Sequence, residues 1–261
     1  MNKNLTLTEI ETRLPRPLES KQDALEFAHL AILNIDIFAP YRDDIDVALA
    51  VLKSCDDHHT MVFASRTLLD NKDFAVAACE YYGGCFEFFS DRLKKDKDVI
   101  KVALTSYGQA YHSIPTAMKE DREIVITMVS HYGPYLQDVV LHLRDDKEIA
   151  LAAVKNNGYS IRYASQRLQE DFDVAMTAVT ENPTVFENLP PSLQDNKHIF
   201  LAALENGGEP RLLSHASENI YKLLSQSNEN DYIPKLKSWI ERETLQERFQ
   251  GNQQPKDIQA L

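Results

Sequence analysis

Apolar residues along this chain return at fixed distances from a short polar residue. Counting from Asn71, Asp96, Asp121, Asp146, Asp171 and Asn196, which stand 25 residues apart, an apolar residue follows at offset 3 (Phe74, Val99, Ile124, Ile149, Val174, Ile199). Alanine follows at offset 7 in most copies (Ala78, Ala103, Ala153, Ala178, Ala203), and Cys79, Leu104, Val129, Val154, Val179 or Leu204 at offset 8. An earlier copy begins at Asp44, 27 residues before Asn71. Offsets 3, 7 and 8 fall on one face of an α-helix, so each copy predicts an amphipathic helix whose apolar stripe faces a shared core.

The polar residue that opens each copy is placed to accept hydrogen bonds from the unpaired amides of the first turn. An acidic residue two places on (Asp46, Asp73, Asp98, Glu123, Glu148, Asp173) suits the positive end of the helix dipole. Twelve residues past the opening residue stand Gly83, Gly108, Gly133, Gly158 and Gly208. Glycine there predicts a left-handed residue that ends a helix of about eleven residues. A second segment carries apolar residues at offsets 15, 18 and 22, for example Phe86, Phe89 and Leu93. Pro115 and the Pro190-Pro191 pair fall inside it, so it is read as shorter and irregular, either one turn of helix or a tight 3₁₀ turn opened by proline.

A helix this short is marginal alone, and one copy buries too little to offset the entropy of ordering it. Copies must therefore stack, and alanine at offset 7 lets neighbouring helices approach closely. The expected fold is all-α: a right-handed α-solenoid of about eight 25-residue repeats, each a helix plus a short helix, closed by a C-terminal capping helix. Residues 1–19 read as a polar tail carrying Pro15 and Pro17, and 20–220 as the solenoid. Its first unit is degenerate, opened by a capping box at Ser20 to Asp23 and continued by Leu25, Ala28, Ile32 and Leu33. Residues 221–250, with Tyr232, Ile233, Leu236, Trp239, Ile240 and Phe249, read as capping helices, and 251–261 as a disordered tail.

The stretch Asp171 to Pro183 resembles the leucine-rich repeat variant pattern, in which a helix alternates with a short 3₁₀ turn. The copy at 146–170, with its Asp-Lys-Glu start, alanine pair, Asn-Gly stop and Tyr-Ala-Ser second segment, resembles a tandem helical-repeat family known only as a domain of unknown function. The resemblance covers roughly residues 44–220 and implies a repeat fold with, in some members, a role as an effector or interaction module. It transfers no catalytic residue. The chain departs from the pattern at Pro183, where the glycine is lost, and at 211–220, where the apolar positions Leu212, Ala216 and Ile220 read as slipped by one.

Charge changes the picture. The 261 residues carry 28 Lys and Arg against 40 Asp and Glu, a net charge of -12. Many of those acids are caps, but the field they set up still disfavours nucleic acid and favours a basic protein partner. The opening residues lack a signal-peptide core, and no stretch approaches the length of a membrane span, which together predict a cytoplasmic protein. Cys55, Cys79 and Cys85 are an odd, irregular set read as free thiols.

The Asp-x-Asp triplets at Asp44, Asp96 and Asp171 recur with the repeat and read as caps rather than metal ligands. Cys55 with His58 and His59 has zinc-type ligands but no second pair, and reads as a loop. No phosphate-binding loop, dinucleotide fingerprint, zincin motif or nucleophile elbow is present, so no catalytic residue, metal or cofactor is assigned and the protein is read as not an enzyme. The positive signal is aromatic. Tyr82, Tyr107 and Tyr132 stand at offset 11, with His131, Tyr111, Tyr135 and Tyr159 close by. Tyrosine offers contact area, a polar tip and little entropy loss at an interface, so these seven are the candidate protein-binding residues. The expected function is a non-enzymatic cytoplasmic interaction module, for instance an acidic immunity-type inhibitor of a toxin or enzyme. The alternative is a secreted effector or enzyme with a composite site in the central repeats.

Overall fold

The computed structural model of the chain describes residues 18–31, 35–55 and 58–251, and among these every regular element is a helix or a helical turn. Residues 1–17 and 252–261 of the predicted tails, and Ile32 and Leu33, lie outside the described residues, as do the side chains of Cys55, His58, His59 and Phe249. The chain forms two compact units, Met1–His131 and Tyr132–Leu261.

The first unit contains helices α1 (Lys21–Glu26), α2 (Ile45–Cys55), α3 (Lys72–Tyr81), α4 (Lys97–Ser106) and α5 (Arg122–His131). The second contains α6 (Lys147–Asn156), α7 (Phe172–Glu181), α8 (Lys197–Glu205), α9 (Glu218–Leu224) and α10 (Tyr232–Gly251). Within each unit successive helices pack side by side, α3 on α4 and α4 on α5, α6 on α7 and α7 on α8, as a helical-repeat solenoid requires. The buried stripe occupies offsets 3, 4, 7 and 8: Val99, Ile100, Ala103 and Leu104 in α4, Ile149, Ala150, Ala153 and Val154 in α6. Offset 4 joins the three columns read from the sequence.

The opening polar residues are caps in every copy. The side chain of Asp96 accepts from the amides of Asp98 and Val99, Asp44, Asp121, Asp146, Asp171 and Asn196 do the same for their helices, and Asn71 accepts from the Phe74 amide. They also carry a second load. The lysine that follows one cap bonds to the cap and the next acid of the following repeat, as Lys72 does to Asp96 at 2.9 Å and Asp98 at 2.6 Å, and Lys147 to Asp171 at 2.9 Å and Asp173 at 2.7 Å. Lys21 spans Asp44 and Asp46 in the same way, and Lys97 reaches Asp121 at 2.5 Å. The Asp-x-Asp triplets are therefore the receiving half of an ion-pair rail. Burial pushes Asp96 and Asp171 up, but the lysine and the capping amides outweigh it and hold both carboxyls below their ordinary range.

The glycines correct the expectation of a left-handed helix stop. Gly207 is the residue whose positive φ, 92°, is that of a left-handed glycine; the glycines that end the helices are not so placed. What turns the chain is the residue before, extended at φ -151° in Tyr82 and -152° in Tyr107 and Asn157. Glycine follows because the chain there passes against the next helix. A Cβ on Gly83 would lie 2.2 Å from the carbonyl oxygen of Ala103, one on Gly133 2.4 Å from that of Ala153, and one on Gly158 2.5 Å from that of Ala178. The two small columns, glycine at offset 12 and alanine at offset 7, are thus two sides of one contact.

After the turn each copy runs a six-residue 3₁₀ segment, such as Gly83–Phe88, Gly158–Tyr163 or Pro183–Asn188. One or two extended residues follow, then a turn of three or four residues. The prolines mark these breaks rather than lying inside one segment: Pro115 precedes the turn Thr116–Met118, Pro191 begins Pro191–Gln194, and Pro183 replaces glycine as the first 3₁₀ residue. The slip in the last copy is two residues, not one. Its 3₁₀ segment is Pro210–His215 and its buried residues are Leu212, Leu213 and Ile220, because Gly207 and Gly208 add a turn after α8. Helix α10 then packs on α8 through Leu236, with Lys197 5.2 Å from the centre of the Trp239 ring.

Candidate functional site

Two clefts open along the 3₁₀ segments, one in each unit, and their chemistry differs. In the first unit Tyr82 and Tyr107 hold the extended position at the ends of α3 and α4, one repeat apart. Their rings meet at 4.9 Å between centroids, tilted by 45°. With Gly84, Glu87, Gln109, Ala110, His112 and Ser113 they line a cleft of about 260 Å3. Gly84 makes room for the Tyr82 ring, since a Cβ there would come within 2.2 Å of it. The Tyr107 hydroxyl donates to Gln109 Oε1 at 2.7 Å. Hydrogen bonding with Tyr107 and, to a lesser degree, burial push the Tyr82 phenol up to about 12. At neutral pH this cleft therefore presents the un-ionised Tyr82 phenol, two aromatic rings, His112 and Glu87.

The second cleft lies in the second unit, between the segments Gly158–Tyr163 and Pro183–Asn188. Its volume is about 150 Å3, and Ile161, Val185, Leu189 and Pro190 supply apolar walls while Tyr159, Arg162, Gln169 and Asn188 supply polar ones. The Tyr159 hydroxyl is 2.5 Å from the Thr184 hydroxyl, and the guanidinium of Arg162 lies over the Tyr163 ring at 4.8 Å and donates to its hydroxyl at 2.6 Å.

The seven residues singled out from the sequence are divided between the two units. Tyr82 and Tyr107 share the first cleft, and Tyr159 borders the second. Tyr132 and Tyr135 make an edge-to-face pair, 6.2 Å between centroids. His131 is an exposed residue at the end of α5. Tyr111 is only 2% exposed: its ring belongs to the core, with Lys119 Nζ 4.9 Å from its centre, so it offers no surface to a partner. The sequence did not point to Glu87, Gln109, Arg162, Gln169 or Asn188. A signal for part of the set existed. Offset 16 carries Glu87, His112, Gln137, Arg162 and Glu187, a column polar in these five copies, directly after the apolar column at offset 15. It faces outward from each 3₁₀ segment and contributes to both clefts.

Other groups are out of play as reactive centres. Cys79 and Cys85 are buried free thiols; burial pushes both up, Cys85 to about 12, so neither is a ready nucleophile. No group of three His, Cys, Asp or Glu suited to a metal ion occurs among the described residues. Among the described residues no helix is long and apolar enough to cross a membrane.

Residues 71–119, 121–169 and 171–221, together more than half of the chain, each match the family described as Domain of unknown function (DUF4116). Each match begins at a cap, Asn71, Asp121 or Asp171, and spans two of the 25-residue repeats. Nothing among the curated proteins or the solved structures matches the chain.

Proposed function

The chain belongs to the DUF4116 family, three tandem copies of a repeat pair, and from that premise we propose that it is a non-enzymatic protein-binding module that takes a basic side chain of its partner into the Tyr82–Tyr107 cleft. The observation that carries this reading is the joint presence of two tyrosine rings in tilted contact and Glu87 around one cleft with no lysine or arginine in its lining. A guanidinium or ammonium group is attracted by aromatic faces and by a carboxylate at once, and such contacts are worth about 0.5–2 kcal/mol each. The net charge of -12 would draw a basic partner towards the surface. An acidic inhibitor that covers a basic toxin or enzyme in the cytoplasm is the specific form of this reading.

The alternative of a composite enzyme site also rests on this cleft, because His112, Glu87 and both tyrosines line it. It is the weaker reading. A phenol held up at about 12 is a poor base and a poor nucleophile near neutrality.

Calorimetric titration of the full chain with a short, otherwise uncharged peptide bearing two arginines, against the same peptide bearing citrulline, tests the proposal. Citrulline keeps the shape and removes the charge. Saturable binding of the arginine peptide, weakened at least about tenfold by citrulline or by Tyr82→Ala, is expected; equal binding of the two peptides, or binding indifferent to Tyr82, would overturn it.

A further inference from the structure

The second cleft has the opposite electrostatics. No acidic residue lines it, and Arg162 at its edge makes no ion pair among the described residues, whereas other basic residues of the second unit such as Lys147, Arg167, Lys197 and Lys237 reach carboxylates. Arg162 is instead braced: its guanidinium stacks on Tyr163 and donates to that hydroxyl, and the Gln169 amide donates to the Arg162 carbonyl oxygen at 3.1 Å and to that of Ala164 at 2.9 Å. A guanidinium held in place by a ring and free of carboxylates keeps most of its donors for an incoming anion. The walls beside it are Ile161, Val185, Leu189 and Pro190, and a volume of about 150 Å3 admits a single side chain, being of the size that takes up benzene when lined by apolar groups.

The geometry points to a pocket for the C-terminal residue of a partner protein: an apolar side chain among Ile161, Val185, Leu189 and Pro190, with its α-carboxylate on Arg162 and the Asn188 amide. The reason for a C-terminus is one of space. An apolar side chain and a carboxylate must enter one small cavity together, and the last residue of a chain is the one that carries both on the same Cα. An internal leucine brings no charge; an internal glutamate brings no apolar group for the walls. This inference stands apart from the reading of the Tyr82–Tyr107 cleft, and neither needs the other to hold.

The test uses the full chain and two fluorescently labelled Gly-Ser hexapeptides ending in leucine, one with a free carboxylate and one amidated, followed by anisotropy and by backbone amide NMR. Binding of the acid with shifts at Ile161, Arg162, Val185 and Leu189, at least about tenfold weaker for the amide and for Arg162→Gln, is expected. The variant Arg162→Gln should melt with the wild type, and Tyr107→Ala should leave this binding unchanged, which separates its failure from failure of the first cleft. Equal affinity for acid and amide overturns the assignment. So do shifts elsewhere, the absence of saturable binding, or equal affinity for 4-methylpentanoate alone, since that would make the ligand a small carboxylate rather than a chain end.

Discussion

Tyr82 and Tyr107 in the first unit and Asn157 and Asn182 in the second hold the same place in the repeat and nearly the same backbone, φ of -151° and -152° against -152° and -145°. Their side chains do different work. The asparagines fold back: Asn157 Oδ1 accepts from the Tyr159 amide at 3.0 Å, and Asn182 Oδ1 from the Thr184 amide at 3.2 Å and its hydroxyl at 2.7 Å. The tyrosines make no such cap and meet each other instead at the mouth of a cleft. The backbone turn is thus set by what the two kinds of copy share, the caps, the alanine column and the close passage behind the turn. Where that shared frame suffices, the residue at the corner is released for other use.

The largest effect should come from attacking the shared frame itself. Gly83→Ala and Gly158→Ala each force a methyl against a backbone carbonyl that cannot swing aside, and each should cost about 1–3 kcal/mol in denaturant unfolding, in tyrosine and asparagine copies alike. An unchanged midpoint would mean that the helices are not packed as closely as described. Next comes the corner: Asn182→Ala removes two accepted bonds and should cost about 1 kcal/mol.

The pH dependence sharpens the contrast between the helix starts and the tyrosine corner. The Lys97 ammonium, with the capping amides, holds the Asp121 carboxyl below its ordinary value, so its contribution is present above the unfolded value and is lost as pH falls through the folded one. Replacing Asp121 with Asn should flatten the acid limb of the stability curve. Tyr82 runs the other way. Its folded value of about 12 exceeds that of a free phenol, so the stability it contributes is intact below about pH 10 and lost as pH climbs towards 12. Smallest of all is the rail: Lys97→Met breaks a solvent-screened pair and should leave the unfolding midpoint close to that of the wild type.

The sequence made the caps and the apolar columns legible because both act locally and repeat at one spacing. Asp96 and Asp171 had only one local task visible, the helix cap; their lysine partners sit a full repeat away, and the recurrence of Lys21, Lys72, Lys97 and Lys147 one place after a cap was the unread clue. Gly83 and Gly158 were placed correctly but for the wrong reason, since a close approach between chain segments leaves the same residue as a left-handed φ. The candidate site was half legible. Aromatic spacing picks out Tyr82, Tyr107 and Tyr159, but it draws in Tyr111, whose ring turns inward, and passes over Glu87 and Arg162, which share offset 16 but change in charge from copy to copy.

The claim that matters most is that the tyrosine corner is spare for the fold and used for binding, and Tyr107→Asn tests it in one sample. Asparagine stands at that corner in two other copies, as Asn157 and Asn182, so the variant should unfold within about 1 kcal/mol of the wild type while losing most of its affinity for the arginine peptide. A large loss of stability, or full stability with undiminished binding, would contradict the account.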